Sequence, residues 1–222
     1  MCGRYSLFAN RDELVDRFQI FNGEDLEWIE RFNIAPSQNV IAIVKDEHGN
    51  RAGFLKWGLV PSWANDPKIG FKMINARAET ADQKPSFKRL LKRRRCLIAA
   101  DGFYEWIKQK DNVRQPYRFE LKTQEPFAFA GLWDRWESGD EVIHSCTIIT
   151  TEANDLVKEV HDRMPVILTK DAEEIWLDRS IEDTERLKRI LLPYDMEKMA
   201  AYPVSTLVNS PKNDTREILN SK

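Results

Sequence analysis

Apolar and polar positions alternate through most of the middle of this chain, and the alternation predicts strands joined by short turns. Residues 3–8 read as a short opening strand. Asn10 stands where an N-cap belongs, with Glu13 at the capping-box position, and Leu14, Phe18 and Phe21 then share one face of a helix. Residues 22–30 are polar and read as a loop or short helix, and Pro36 holds Phe32–Ala35 extended. Residues 39–45 and 51–59 pair as a hairpin about the turn Glu47–Asn50. A loop carrying Pro61, Trp63, Pro67 and Gly70 runs to residue 71 and leads into an extended Ile74–Arg77. Further strands are predicted at 96–100, 103–106, 115–121, 127–132, 145–150 and 165–168, with helices at 86–93, 154–160, 170–177 and 181–192. A short strand after Met196 and a polar tail close the chain.

Strands linked by short turns, with helices before, between and after them, predict an α+β fold: an antiparallel, barrel-like β core with helices packed outside. No linker divides the chain, so residues 1–222 read as a single domain, with 208–222 a tail that is either ordered or loose. An apolar fraction of 42% and seven Trp supply a real core. The net charge of −2 does not mark a nucleic-acid binder, so that role would need a local basic patch. Cys2, Cys96 and Cys146 are too few and scattered for a disulfide framework, which fits a reducing compartment. The first residues lack the apolar core of a signal peptide, and no stretch approaches the roughly 18 apolar residues of a membrane span. No His and Cys stand at zinc-binding spacing, so no metal is expected.

Four stretches hold polar residues where packing alone does not ask for them. In Met1-Cys2-Gly3-Arg4, removal of Met1 would leave Cys2 with its α-amine and thiol on one residue. Such a 1,2-aminothiol condenses with an aldehyde to an imine, and the thiol then closes on the imine carbon to give a thiazolidine. An α-amine titrates near about 8 and is partly neutral at physiological pH. Glu105 lies between Tyr104 and Trp106 at the end of an apolar run; there it is either desolvated and suited to proton transfer, or turned outward by strand alternation. His161 follows a predicted helix, whose dipole would favour its charged form. Asn75 and Arg77 share one side of an extended segment, as do Cys2 and Arg4; an amide and a guanidinium there can hold a carbonyl and a phosphate, or the arginines can form salt bridges. His48 and His144 read as structural.

Residues 88–95 carry six cations in eight positions, beginning with Lys88 and Arg89. Such a run is either a solvated helix face or the footprint of nucleic-acid binding. Trp63, in a Pro-bounded loop, is a candidate for stacking on a base, whereas Trp57 alternates with apolar neighbours and reads as core.

MCGRY, FNIAPS, WGLVPSW, INARAET, CLIAADGFYEW, ITTEAN, VHDRMPVIL and VNSPKNDT occur in order, and together the chain resembles the SOS-response-associated peptidase (SRAP) family over essentially its whole length. The resemblance implies binding of single-stranded DNA and a covalent thiazolidine crosslink to the ring-opened aldehyde of an abasic site. It assigns the catalytic Cys, Asn, Glu and His to Cys2, Asn75, Glu105 and His161, and the phosphate-gripping arginines to Arg4 and Arg77. Removal of whatever precedes the Cys is autocatalytic in the family where it is needed. The chain departs from the family where the DNA-wedge loop often carries two adjacent aromatics, since Ala64 follows Trp63 here. The expected protein acts on abasic single-stranded DNA as a monomer, with no cofactor and no membrane, in a bacterial cytoplasm near the nucleoid or replication fork. Two other classes fit the same residues: a thiol peptidase or amidohydrolase built on Cys2, His161 and Asn75, and a non-catalytic single-strand-binding module.

Overall fold

A computed structural model describes residues 2–108 and 114–220. Its strands are β1 (Tyr5–Leu7), β2 (Arg31–Ile34), β3 (Asn39–Lys45), β4 (Asn50–Trp57), β5 (Asn75–Arg77), β6 (Arg95–Ala100), β7 (Gly102–Lys108), β8 (Arg114–Leu121), β9 (Phe127–Ser138), β10 (Glu141–Glu152), β11 (Arg163–Pro165), β12 (Ile167–Leu168) and β13 (Met199–Pro203). The α-helices are α1 (Arg11–Phe18), α2 (Pro85–Arg93), α3 (Asp155–Lys158), α4 (Lys170–Leu177) and α5 (Thr184–Lys188), supplemented by 3-10 turns.

The expected barrel is present. β10, β4, β3, β6 and β9 pair in that order, and the β9–β10 hairpin closes the ring. The ring is antiparallel except where β4 meets β10, and β5 also runs parallel to β10. A second antiparallel sheet, in the order β13-β8-β7-β1-β2, packs beside it. The side chains between them form one core, in which Tyr5 of β1 meets Trp57 and Phe129 edge-on at 5.4 and 5.5 Å between ring centres.

Four elements differ from the pattern-based expectation. β9 and β10 are each 12 residues long, about twice the length that the apolar runs predict. Their distal halves carry Arg135, Glu137 and His144, so the apolar signal fades, yet Trp136↔Ile143 pairing carries the hairpin on to a turn at Gly139. α1 stops at Phe18 because Gln19 takes a left-handed conformation, and Phe21, expected on the buried face, is 49% exposed. α5 starts only at Thr184, where the Asp183 carboxylate accepts from the Glu185 and Arg186 amides. The predicted Asn10 cap is present and accepts from the Glu13 amide at 2.9 Å.

The terminal segment packs against the second sheet through residue 220, with Val208 and Ile218 buried beside Phe32 and Tyr104. Asp214 fixes it there. Its carboxylate accepts from the backbone amides of Phe32 and Asn33 at 2.6 and 2.8 Å, on the open edge of β2, and pairs with Arg31. Asp214→Ala strands two edge amides and a guanidinium, and should cost about 2–4 kcal/mol of stability, measurable as a lower midpoint in urea unfolding.

A candidate active site at the amino terminus

Cys2 lies directly before β1, and the pairing of β1 with β7 sets what it faces. Tyr5 is opposite Phe103, and the Tyr104 amide donates to the Arg4 carbonyl at 2.9 Å, so the chain runs back from there toward Glu105. Cys2 is fully buried. Burial pushes its thiol pKa far up, the nearby Glu105 carboxylate adds to the rise, and the Arg4 backbone amide offsets part of it. The thiol is therefore held in its neutral form.

Glu105 is 4% exposed, which decides between the two sequence readings in favour of the desolvated one. Burial raises its pKa from 4.5 to about 8, and Asp162 adds to the shift. At neutral pH it is mainly a carboxylic acid able to give a proton.

His161 corrects an expectation. α3 covers only Asp155–Lys158, and burial outweighs any helix-end effect: the imidazole pKa is lowered from its usual 6.5. The Arg163 amide donates to Nδ1 at 3.0 Å. A neutral ring with Nδ1 accepting carries its proton on Nε2. Asp162 also lies 3.0 Å from Nδ1, but that approach is an ion pair only in the protonated state.

Asn75 opens β5, held in register by Ile148 of β10. Its Nδ2 donates to the Ile74 carbonyl at 3.0 Å. Its Oδ1 is buried with no hydrogen-bond partner among the described residues, an acceptor awaiting a donor. Ala76 points into the core and Arg77 outward to solvent, as alternation requires. Next to them Arg163 grips Glu79 with two hydrogen bonds of 2.7 and 2.9 Å and so ties β11 to the end of β5.

Arg4 is half-buried and already engaged. Its Nη1 donates to Asn33 Oδ1 at 2.8 Å and to the Val208 carbonyl at 2.5 Å, and its guanidinium stands 5.7 Å from the Trp106 ring centre. Its first contribution is therefore to fix the amino-terminal strand against the terminal segment.

The loop after β4 begins at Gly58, whose φ of +131° and close approach to the Gly70 carbonyl leave no room for a side chain. Trp63 stands 57% exposed beyond it. Ala64 points inward, is 8% exposed, and offers its carbonyl to Trp136 Nε1 at 2.6 Å, so the position after Trp63 is a packing position rather than a second stacking platform. A second exposed aromatic is Phe71, at 65%, on the 3-10 turn Pro67–Lys72. The sequence reading missed it; the signal was its place between Gly70 and Lys72, where no apolar face continues.

The basic run divides. Lys88 is exposed, and Arg89 donates to Ser62 Oγ at 2.9 Å, steadying the Trp63 loop. Arg95 is no part of a solvated face: it is buried and donates to four backbone carbonyls, of Trp176, Leu91, Lys92 and Asp178. Burial lowers its pKa to about 10, which leaves it charged at neutral pH. Among the described residues, no cluster of His, Cys, Asp and Glu is placed to hold a metal, and no helix is long and apolar enough to cross a membrane.

The family model for the SOS response associated peptidase (SRAP) matches residues 1–211. The abasic site processing protein YoqW of Bacillus subtilis (strain 168) is 48% identical over 224 residues, covering 100% of both chains. The abasic site processing protein HMCES of Gallus gallus is 40% identical over 190 residues, which cover 74% of this chain and 56% of that protein. A crystal structure of a protein from Bacteroides thetaiotaomicron superimposes with a TM-score of 0.87 at 28% identity, covering 100% of both chains.

The raised Glu105 pKa makes a prediction for stability. Between about pH 4.5 and 8 the folded chain keeps a proton that the unfolded chain has lost, so stability falls as pH rises through that window. Glu105→Gln removes the penalty. Its thermal midpoint should exceed that of the parent at pH 9, and the gap should close toward pH 4; a gap independent of pH would mean that folding does not raise the Glu105 pKa.

Proposed function

The chain belongs to the SOS response associated peptidase family, and from that premise we propose that it processes abasic sites in single-stranded DNA by forming a thiazolidine between Cys2 and the ring-opened sugar aldehyde. The observation that carries the proposal is a buried carboxylic acid with a pKa of about 8 beside the thiol of the residue that becomes the amino terminus once Met1 is removed.

The chemistry balances on these groups. As the closed hemiacetal opens to the aldehyde, the proton of the anomeric hydroxyl passes through solvent to the ring oxygen, to which the neutral His161 gives a hydrogen bond from Nε2. The Cys2 α-amine adds to the carbonyl carbon, and a proton passes from nitrogen to oxygen to give a carbinolamine. Glu105 protonates the carbinolamine hydroxyl, water leaves, and an iminium remains. The thiol sulfur attacks the iminium carbon while the Glu105 carboxylate takes the thiol proton, which restores the acid. A thiol held neutral suits this order: amine first, sulfur second. It does not suit a peptidase, whose nucleophile is the thiolate. Asn75 Oδ1, buried and without a donor among the described residues, accepts from the α-amine and keeps it aimed at the carbonyl. Arg77, exposed beside it, binds a flanking phosphate, while Trp63 and Phe71 stack on bases, and Lys88 and Arg89 attract the strand. Arg4 acts on the DNA through the strand that it positions.

The test is to mix the chain, confirmed to start at Cys2, with single-stranded DNA carrying one abasic site. The expected product survives denaturation and has the mass of protein plus DNA minus one water. Cys2→Ala should abolish it and leave non-covalent binding intact; an unchanged yield would refute the assignment. Glu105→Gln should slow crosslinking by about 10²- to 10⁴-fold, the usual span of general acid–base catalysis. Arg77→Ala should lower affinity and flatten the salt dependence by about one unit of slope. A slope equal to that of the parent chain would mean that Arg77 touches no phosphate.

A further inference from the structure

Outside the candidate active site, Lys45, Arg51, Arg93, Arg94, Arg95 and Arg179 line a cleft of about 440 Å³, against which the lining sets one carboxylate, Asp46. It opens where the hairpin ends of β3 and β4 meet the carboxyl ends of α2 and α4, and Trp133 and Trp176 form its apolar wall. Two of the cations are fixed in place. The Arg94 guanidinium lies 4.5 Å from the Trp133 ring centre. Arg95 is pinned by four backbone carbonyls and keeps its charge under the cleft with no carboxylate bonded to it.

The carboxylates around the cleft offset only part of its charge. Glu182 pairs with Arg93 at 2.8 Å. Asp134 lies 3.8 Å from Arg94 but also accepts from the Ser62 and Arg135 amides. Asp178 accepts from Ser180 and also feels the charges of Lys45 and Arg95, and Asp46 accepts from the His48 amide. Lys45, Arg51 and Arg179 are exposed and have no ion pair among the described residues. Like charges gathered this closely repel one another, and an anion relieves the repulsion.

Asp134 also fixes where the cleft lies relative to the exposed tryptophan. It accepts from the Ser62 amide at 2.8 Å, one residue before Trp63, and its other oxygen faces Arg94 on the cleft wall. A strand stacked on Trp63 thus leaves the loop one side chain away from the cations.

We infer that this cleft is a second phosphate site, which takes the sugar–phosphate backbone of the nucleic-acid strand beyond Trp63. The inference rests on the proposed DNA binding but not on the Cys2 chemistry. A strand long enough to run from Cys2 past Trp63 into the cleft meets cations that a shorter strand does not reach. The walls suit backbone rather than base readout, since guanidinium and ammonium groups bind phosphate oxygens without regard to sequence.

The test compares the parent chain with Lys45→Glu/Arg51→Glu/Arg179→Glu, three exposed positions outside the candidate active site, and with the corresponding triple Gln variant. Affinity for single-stranded DNA without an abasic site is measured against salt for a short oligonucleotide and for a long one. For the long strand, the Glu variant should bind about tenfold or more weakly, and the salt slope should drop by about 0.7 for each phosphate that is no longer neutralised. The Gln variant should fall between the two. Affinity for the short strand, and crosslinking of a short abasic strand, should stay as in the parent. Unchanged affinity and slope on the long strand would overturn the inference. It would also be overturned if inorganic phosphate alone bound the cleft as tightly as the long strand does, because the cleft would then be a small-anion site. If no crosslink forms in the parent but the Glu variant still binds the long strand more weakly, the cleft stands and the Cys2 chemistry falls.

Discussion

The candidate site depends on the second residue of the chain staying in place, and a chain end left to itself frays. The docking of β1 between β7 and β2 prevents that. Tyr5 locks edge-on against Trp57 and Phe129 of the barrel. Ser6 donates to Asp101 at 2.6 Å, and the same carboxylate accepts from the Phe8 and Ala9 amides and from the buried Arg118. Arg4 reaches across to Asn33 and Val208, so the far end of the chain clamps the near end. A strand of three residues could not be held by its ladder bonds alone. The polar network adds to the anchoring, and because each buried partner satisfies another, loosening one strands several.

With the terminus fixed, one force sets the chemistry of the site. Burial drives each titratable group there toward its neutral form: Cys2 and Glu105 upward, His161 downward. A site built on charged nucleophiles would need the opposite arrangement, with cations beside the thiol. Condensation of an amine with an aldehyde instead needs neutral groups that pass a proton back and forth at modest driving force. A carboxylic acid with a pKa of about 8 can give a proton and take it back near physiological pH.

Much of this was legible in the sequence, and the exceptions have physical causes. Alternation located the barrel strands, and the Asn10 cap was read correctly. It failed at the distal halves of β9 and β10, where cross-strand pairing sustains strands that have lost their apolar face. Glu105 could not be resolved from sequence, because alternation permits either face and only the fold shows that the face it takes is buried. His161 went the other way: the helix preceding it is a single turn, too short for its end to outweigh burial. The basic run could not be divided from sequence either. Arg95 differs from its neighbours only in starting β6, which turns its side chain inward among carbonyls.

The same division explains how a chain of net charge −2 carries a strongly cationic face. Asp134 is nearly inaccessible, yet it touches the loop of Trp63 on one side and Arg89 and Arg94 on the other. Against two arginines at 3.7 and 3.8 Å its charge is shared rather than spent, so the group stays net positive toward solvent while its orientation is fixed. The carboxylate thus acts as a positioning group: it holds the loop, and it keeps the two guanidiniums from repelling one another apart. Replacing the aromatic expected after Trp63 with Ala64 fits this arrangement. The loop turns inward at that point, seats its carbonyl on Trp136 and packs beside Val60, so Trp63 is presented by a braced hinge instead of a flexible one. For the proposed stacking on a strand, this rigidity would offset the area that a second ring supplies, since less ordering would be left to be done on binding.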